Sequence, residues 1–381
     1  FTCVLALAGA LLAASCGGSG GDGKKVIGGI NGGGVALGTI TGFGSIFVNG
    51  VEYRTSSAQI TINGQPGTES QLHAGQVVSV HATIDAGGRT GTAQTVKFDD
   101  NVTGAVKSKD LAGQSFVVLE QTVRVDGTTT FDDANNQALD LATLNLGDVV
   151  EVSGFVEASR AVVATRIERK AGGGGLELDG VVANLDANAK RFELTALIVD
   201  YSTAQLVNGT PANNSCVEVK GDSTGFNNGV LMATRVEVKS CQDAGANGDR
   251  GEIEGLITTL RSASDFDVAG RPVSTTGSTR FDGGSAANLA QNVKVEVEGT
   301  FDGVGTLVAS RVEIKQASEL RAEGTIDTLN AATSTLTMFG ITVTTNMQTR
   351  FEDKSSQPVS PFNFSSLATG NYVEVRGFPG A

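Results

Sequence analysis

Tryptophan is absent from this 381-residue chain, tyrosine occurs three times and histidine twice. Each scarcity removes a kind of chemistry. A groove for single-stranded nucleic acid needs stacking aromatics and a basic lining. Here 28 Lys and Arg face 41 Asp and Glu, a net charge of −13 that repels phosphate backbones. Nucleic acid is not expected as a partner. A glycosidase would set aromatic platforms beside its paired carboxylates, and Trp is missing. Hydrolysis through Ser or Cys needs a base beside the nucleophile, yet His73 and His81 are the whole supply and no Gly-x-Ser-x-Gly elbow lies near them. His81 falls on an outward strand position and reads as solvated. No enzyme activity and no cofactor are expected.

Proline is scarce at six residues, and no segment longer than about ten residues follows a helical period. What remains is 51 Gly among abundant Val and Thr, which suits short strands joined by glycine turns. All-β is the expected class.

Residues 1–15 form an uncharged apolar run, too short to span a bilayer and suited to a signal-peptide core. Leu12-Ala13-Ala14-Ser15-Cys16 resembles the lipobox of bacterial lipoproteins, with Ala13 where Leu is usual. The resemblance implies that Cys16 is acylated, the alternative being an ordinary cleaved signal. Gly17 after the cysteine, by similarity to enterobacterial sorting, points to the outer membrane, with the periplasmic or surface face left open. The opening lacks Met and a basic segment, so the leader is expected to be truncated. Residues 16–35 hold ten glycines and read as a flexible tether with a reach on the order of 25 Å.

A repeat follows. Val149 to Gly154, Cys216 to Gly221, Lys294 to Gly299 and Tyr372 to Gly377 share a Val-Glu-Val core before glycine, at spacings of 67, 78 and 78 residues. Val77 to Ala82 is a degenerate earlier copy. Ala164-Thr165-Arg166-Ile167-Glu168, Ala233-Thr234-Arg235-Val236-Glu237 and Ala309-Ser310-Arg311-Val312-Glu313 follow the middle three. The reading is a tandem array of about five small OB-like five-stranded barrels: 36–101, 102–170, 177–241, 251–316 and 320–381, the last without its final strand, as in a fragment. The expected order is three short strands, a short helix near 138–146 in the second copy, then two long strands. Asn49-Gly50 marks a hairpin turn. Glycine-rich breaks suggest beads on a short string, although neighbours could pack.

Period-2 alternation buries Val150 and Val152, places Thr165 with Ile167, and sends Glu151 and Arg166 outward. The same logic pairs Glu218 with Arg235 and Glu296 with Arg311 as solvated cross-strand ion pairs, the alternative being a repeated polar binding stripe. Cys216 and Cys241 stand at strand ends that an antiparallel pair would join; an oxidising compartment favours a disulfide over free thiols or a metal site. No metal site is assigned.

The lipoprotein start, Gly42 to Tyr53 (GFGSIFVNGVEY) and the repeated Val-Glu-Val and Ala-Thr-Arg-Ile-Glu-Arg patterns resemble the bacterial family named domain of unknown function 5666. The resemblance covers most of the chain from about Ala36, is loosest in the third copy, and implies an exported protein with no assigned activity. The expected function is a lipid-anchored, non-enzymatic scaffold or docking protein of the cell envelope, held to a membrane through its N-terminus and meeting a protein or envelope polymer. The alternative is a small-ligand or calcium-binding module repeated for avidity.

Overall fold

The computed structural model describes residues 32–377 apart from 86–88, 135–138, 173–174, 242–244, 316–319, 347–348, 350, 352, 354–358 and 360–361. The signal segment, Cys16 and most of the tether lie outside the described residues. Among the described residues there is no α-helix, only strands and three single 3-10 turns.

Barrel closure is clearest in the first module. Its first strand, Gly32–Gly42, pairs antiparallel with Ile46–Val48 on one side and Val77–Ile84 on the other. Val77–Ile84 pairs with Thr90–Phe98, which runs parallel to Val51–Arg54. The strands therefore close in the order 1-2-3-5-4, that of an OB-like barrel. Asn49 and Gly50 both take positive φ, 51° and 82°, as the two-residue hairpin turn demands.

The second module repeats this order with Val102–Asp110, Ser115–Val118, Gln121–Arg124, Val149–Val156 and Val162–Arg169. The fourth repeats it with Arg250–Ser262, Asp265–Val268, Arg271–Asp282, Lys294–Phe301 and Leu307–Ile314. In the third, the first strand is split into Leu176–Val181 and Ala183–Asp186, and the long pair is Cys216–Asn227 with Val230–Lys239. The fifth pairs Leu320–Thr325 with Tyr372–Gly377 beside a separate three-stranded sheet.

The expected helix is smaller than read. One 3-10 turn precedes the fourth strand in modules one, four and five (Glu69–Gln71, Ala286–Asn288, Phe364–Ser366). In the second, Leu141 to Thr143 form only a turn. First strands are also longer than expected, 11, 9 and 13 residues in modules one, two and four. Their starts reach past their own barrel to a neighbour. Gly34 to Leu37 run parallel to Arg250 to Ile253, so the end of the expected tether is strand: pairing with two strands satisfies its backbone groups.

The two repeated signatures meet at one β-bulge. Ser153 opposes Arg166 but Gly154 opposes Ala164, leaving Thr165 extra on the fifth strand. Thr234 in module three, Ser310 in module four and Gln94 in module one are extra in the same way. The bulged hydroxyl donates to the carbonyl of the residue before the glycine in modules two, three and four: Thr165 to Ser153 at 3.0 Å, Thr234 to Lys220 at 3.1 Å and Ser310 to Glu298 at 3.1 Å. The glycine is there because the chains approach closely. A Cβ on Gly154 would stand 2.2 Å from the Val163 carbonyl oxygen, and one on Gly299 would stand 2.2 Å from that of Val308.

The bulge corrects the expected facing. Ala164 and Ile167 both enter the core, three residues apart, because the extra residue resets the period-2 phase.

The first four modules are not beads. Modules two and three share one apolar cluster, and Val35 of the first strand sits in the core of module four. Modules one and two join where the Val77 amide donates to Ser153 Oγ, 2.9 Å, and Thr165 Oγ1 to the Gly75 carbonyl, 2.6 Å. Modules one and three meet through Lys220 Nζ on the Asn63 carbonyl, 3.0 Å.

Candidate functional site

Sequence periodicity placed a repeated charged face on the fourth and fifth strands of each barrel. The structure keeps that face and changes both its partners and its setting. Because of the register, Glu151 opposes Glu168, Glu218 opposes Glu237 and Glu296 opposes Glu313. The cation for each fourth-strand glutamate comes from the end of the fifth strand. Lys170 meets Glu151 at 2.8 Å, Lys239 meets Glu218, and Lys315 meets Glu296 at 2.9 Å.

The expected pairs of Glu151 with Arg166 and Glu218 with Arg235 are therefore replaced, while Glu296 still lies 3.5 Å from Arg311. Each arginine instead binds the glutamate two residues on: Arg166 to Glu168 at 3.4 Å, Arg235 to Glu237 at 2.5 Å, Arg311 to Glu313 at 2.5 Å. Arg166 also holds Asp132 at 2.5 Å, and Arg311 holds Asp282 at 2.6 Å.

The setting is the larger correction. Arg166 is 2% exposed, and Glu218, Glu296 and Arg311 are buried as well. They are not solvated, because a neighbouring module covers them. Arg166 Nη1 donates to the Ala74 carbonyl of module one at 3.2 Å. His73, on the same turn, is half-buried, and its pKa is lowered first by burial and then by the Arg166 charge. Lys239 of module three reaches Asp99 at the end of module one, 2.9 Å. Lys294 of module four lies 4.9 Å over the Phe155 ring of module two. Arg235 keeps a half-buried position. His81 is half-buried rather than fully solvated, opposite Val35 in the register.

Cys216 and Cys241 are joined by a disulfide, Cα to Cα 5.1 Å, across the expected strand ends. It ties the start of the fourth strand to the residue just beyond the fifth.

Two acidic groups gather at module boundaries, and sequence reading singled out only parts of them. In module three, Glu177 opposes Lys220 and Asp179 opposes Glu218. Burial pushes both Glu177 and Asp179 up to about 7, against the pull of Lys220 and Lys239. In module four, Glu252 opposes Glu298 and Glu254 opposes Glu296. One oxygen from each of Glu252, Glu296 and Glu298 lies within 4.8 Å of the others. The available signal was the acid-x-acid start of these first strands, Glu177-Leu-Asp179 and Glu252-Ile-Glu254.

A shallow depression on module three is lined by Thr203, Asp222, Met232 and Thr234, with neither a histidine nor a thiol among its lining residues. No helix of the described residues is long and apolar enough to cross a membrane.

Comparison with known proteins agrees with the repeat. The family model for a domain of unknown function (DUF5666) matches residues 37–97, 103–168, 254–313 and 323–381, passing over the disulfide-bearing module. No curated protein matches. Among solved structures, the chain is similar to one described as Drosophila Unr CSD456, at 15% identity and a TM-score of 0.15, over 57% of this chain and 98% of that one.

Proposed function

We propose that this chain, which belongs to the DUF5666 family, is a lipid-anchored cell-envelope protein whose barrels act as a non-enzymatic scaffold and docking unit. The observation that carries the reading is how unevenly the modules spend their surfaces. The first four turn their charged strands toward one another. In the second, the side chain at the hairpin turn, Leu119, is buried, and the Gln121 amide beside it donates to the Leu194 carbonyl of module three at 3.1 Å.

The fifth module keeps the corresponding position open. Phe339 stands over Gly324 and is 68% exposed, Ile341 is exposed after it, and Tyr372 is 71% exposed on the strand paired with Leu320–Thr325. Among the described residues four exposed large apolar side chains fall on this module, against one or two on each of modules two to four, and their concentration on an acidic protein supports docking to a protein or envelope polymer. Cys16 would hold the array to the membrane, and the outer membrane is the favoured site.

Labelled palmitate supplied to the producing bacterium tests the anchor: label should enter the chain and vanish in Cys16→Ala. A photo-cross-linker at position 339 tests the docking face. The reading expects discrete cross-linked species in the intact envelope that disappear with Tyr372→Asp; no cross-link beyond the chain itself would count against it.

The rival reading, one ion or small ligand in every copy, has less support. Carboxylates converge to coordination distance in module four, and no second such group occurs among the described residues.

A further inference from the structure

We infer that Glu252, Glu296 and Glu298 form a single buried site for a divalent cation with a preference for hard oxygen ligands, calcium foremost, at the junction of modules one and four.

Glu252 and Glu298 are directly opposed across the antiparallel first and fourth strands, with Glu296 on the same face two residues along. Their nearest oxygens fall within 4.8 Å of one another, and opposite ligands in a calcium shell stand about 5 Å apart.

Two groups around that point are buried without hydrogen-bond partners. Glu252 is 0% exposed, and neither of its carboxylate oxygens has a hydrogen-bond partner. Its register neighbour on the first strand of module one is Ala36, whose side chain belongs to the core of that barrel. Glu252 thus faces the side of the sheet that module one covers. Tyr53, from the same core, is also 0% exposed with an unpartnered hydroxyl. The fields of Glu252 and Glu296 reach that hydroxyl and, after burial, raise its pKa. A buried acid and a buried phenol with no partners are expensive unless something binds between them.

Six carboxylates share this face: Glu252, Glu254, Glu296, Glu298, Glu313 and Asp282, which lies beside Glu313 in the register. Among the described residues four cations serve them. Lys294 takes Glu254 at 2.7 Å, Lys315 takes Glu296 and Glu313 at 2.9 and 3.3 Å, Arg311 takes Glu298 and Glu313 at 2.5 Å each and Asp282 at 2.6 Å, and Arg280 takes Asp282 at 2.9 Å. Glu252 has no ion-pair partner among the described residues, and the carboxylates outnumber the cations by two, the charge of one divalent ion.

The test uses the whole chain, stripped with EDTA and refolded with or without calcium so that a buried site can load. The expected result is one calcium per chain at saturation and a melting temperature raised by about 5 °C. Glu252→Gln should abolish both effects while melting higher than the wild type in EDTA, since it removes an unpaired buried acid. Terbium gives an independent readout. Excitation of tyrosine should sensitise bound terbium, and Tyr53→Phe should remove most of that emission while leaving calcium stoichiometry at one. Should Glu252→Gln not fold, Glu298→Gln replaces it and should likewise abolish the bound calcium and the calcium-dependent rise in melting temperature, without the gain in EDTA, because Glu298 is paired with Arg311. An unchanged melting temperature and no bound ion in millimolar calcium would overturn the site, as would full calcium binding by a folded Glu252→Gln chain.

Discussion

The guanidinium of Arg166 in the second module donates to the carbonyl of Ala74 in the first, 92 positions back along the chain. The side chain that period-2 alternation sends to solvent is thus spent on a neighbouring barrel, and with it the repeated charged face becomes a joint between modules. Arg166→Ala should leave Asp132 and Glu168 without their shared cation in a covered site and cost about 3–5 kcal/mol. Arg235→Ala, half-buried, should cost no more than about 1 kcal/mol. Urea unfolding of the two variants checks the contrast; equal losses would mean that the Arg166 face is solvated.

The bulge gives a second prediction. Gly154→Ala places a methyl against the Val163 carbonyl and should destabilise by about 2 kcal/mol or more, whereas Ala82→Gly, at the same place in module one, should cost only about 0.5–1 kcal/mol. Thermal melts of the pair measure both. If the two substitutions cost the same, close approach is not what holds glycine at the signature.

The disulfide between Cys216 and Cys241 closes a loop of 25 residues. Its loss in Cys216→Ser with Cys241→Ser should lower stability by about 3 kcal/mol, chiefly by freeing the unfolded chain. Denaturation of the oxidised protein against the double variant reads this directly.

Acidity should act through Glu177 and Asp179. Asp99, Glu218, Lys220 and Lys239 face them, and burial holds both carboxyls at about 7, above their unfolded values near 4. A raised folded-state pKa means that the folded chain binds protons more tightly, so stability should rise as pH falls from 8 toward 6.5. Below about 6.5 the lowered pKa of His73 works the other way, because the unfolded chain then takes up the proton first. Asp179→Asn with Glu177→Gln should reduce the slope between pH 8 and 6.5, leaving the share of Glu296, which burial also holds at about 7. A slope unchanged in that variant would place the titrating groups elsewhere.

Much of this fold is written plainly in the chain. The Val-Glu-Val-x-Gly and Ala-Thr-Arg motifs give the long strands, Asn49-Gly50 gives a hairpin, and the lysines that close each second motif supply the true partners of Glu151, Glu218 and Glu296. What alternation misreads is the phase at Thr165. A bulge inserts one residue without changing composition, so Ala164 and Ile167 face inward together. It also misreads burial. Whether Arg166 or Glu296 meets water depends on which barrel lies over it, and strand periodicity carries no record of a partner 90 residues distant. The hint lay in the small hydroxyls Ser153 and Thr165 among the charges, which let the Gly75–Val77 turn come close enough to bond. Glu252 was legible only as half of an acid-x-acid start, because its partners Glu296 and Glu298 come from a strand more than forty residues later.

Hydrogen exchange of the whole chain tests most directly whether the repeated faces are joints. The amides of Gly34 to Leu37, of Thr39, which donates to Glu254 at 2.9 Å, and of Val77, which donates to Ser153, lie at the module boundaries. The account predicts that they exchange as slowly as the barrel amides around Val80 and Val152 and that Arg166→Ala accelerates Val77. Exchange of these boundary amides at the rate of exposed strand edges, while the barrel interiors stay protected, would contradict it and return the modules to independent beads.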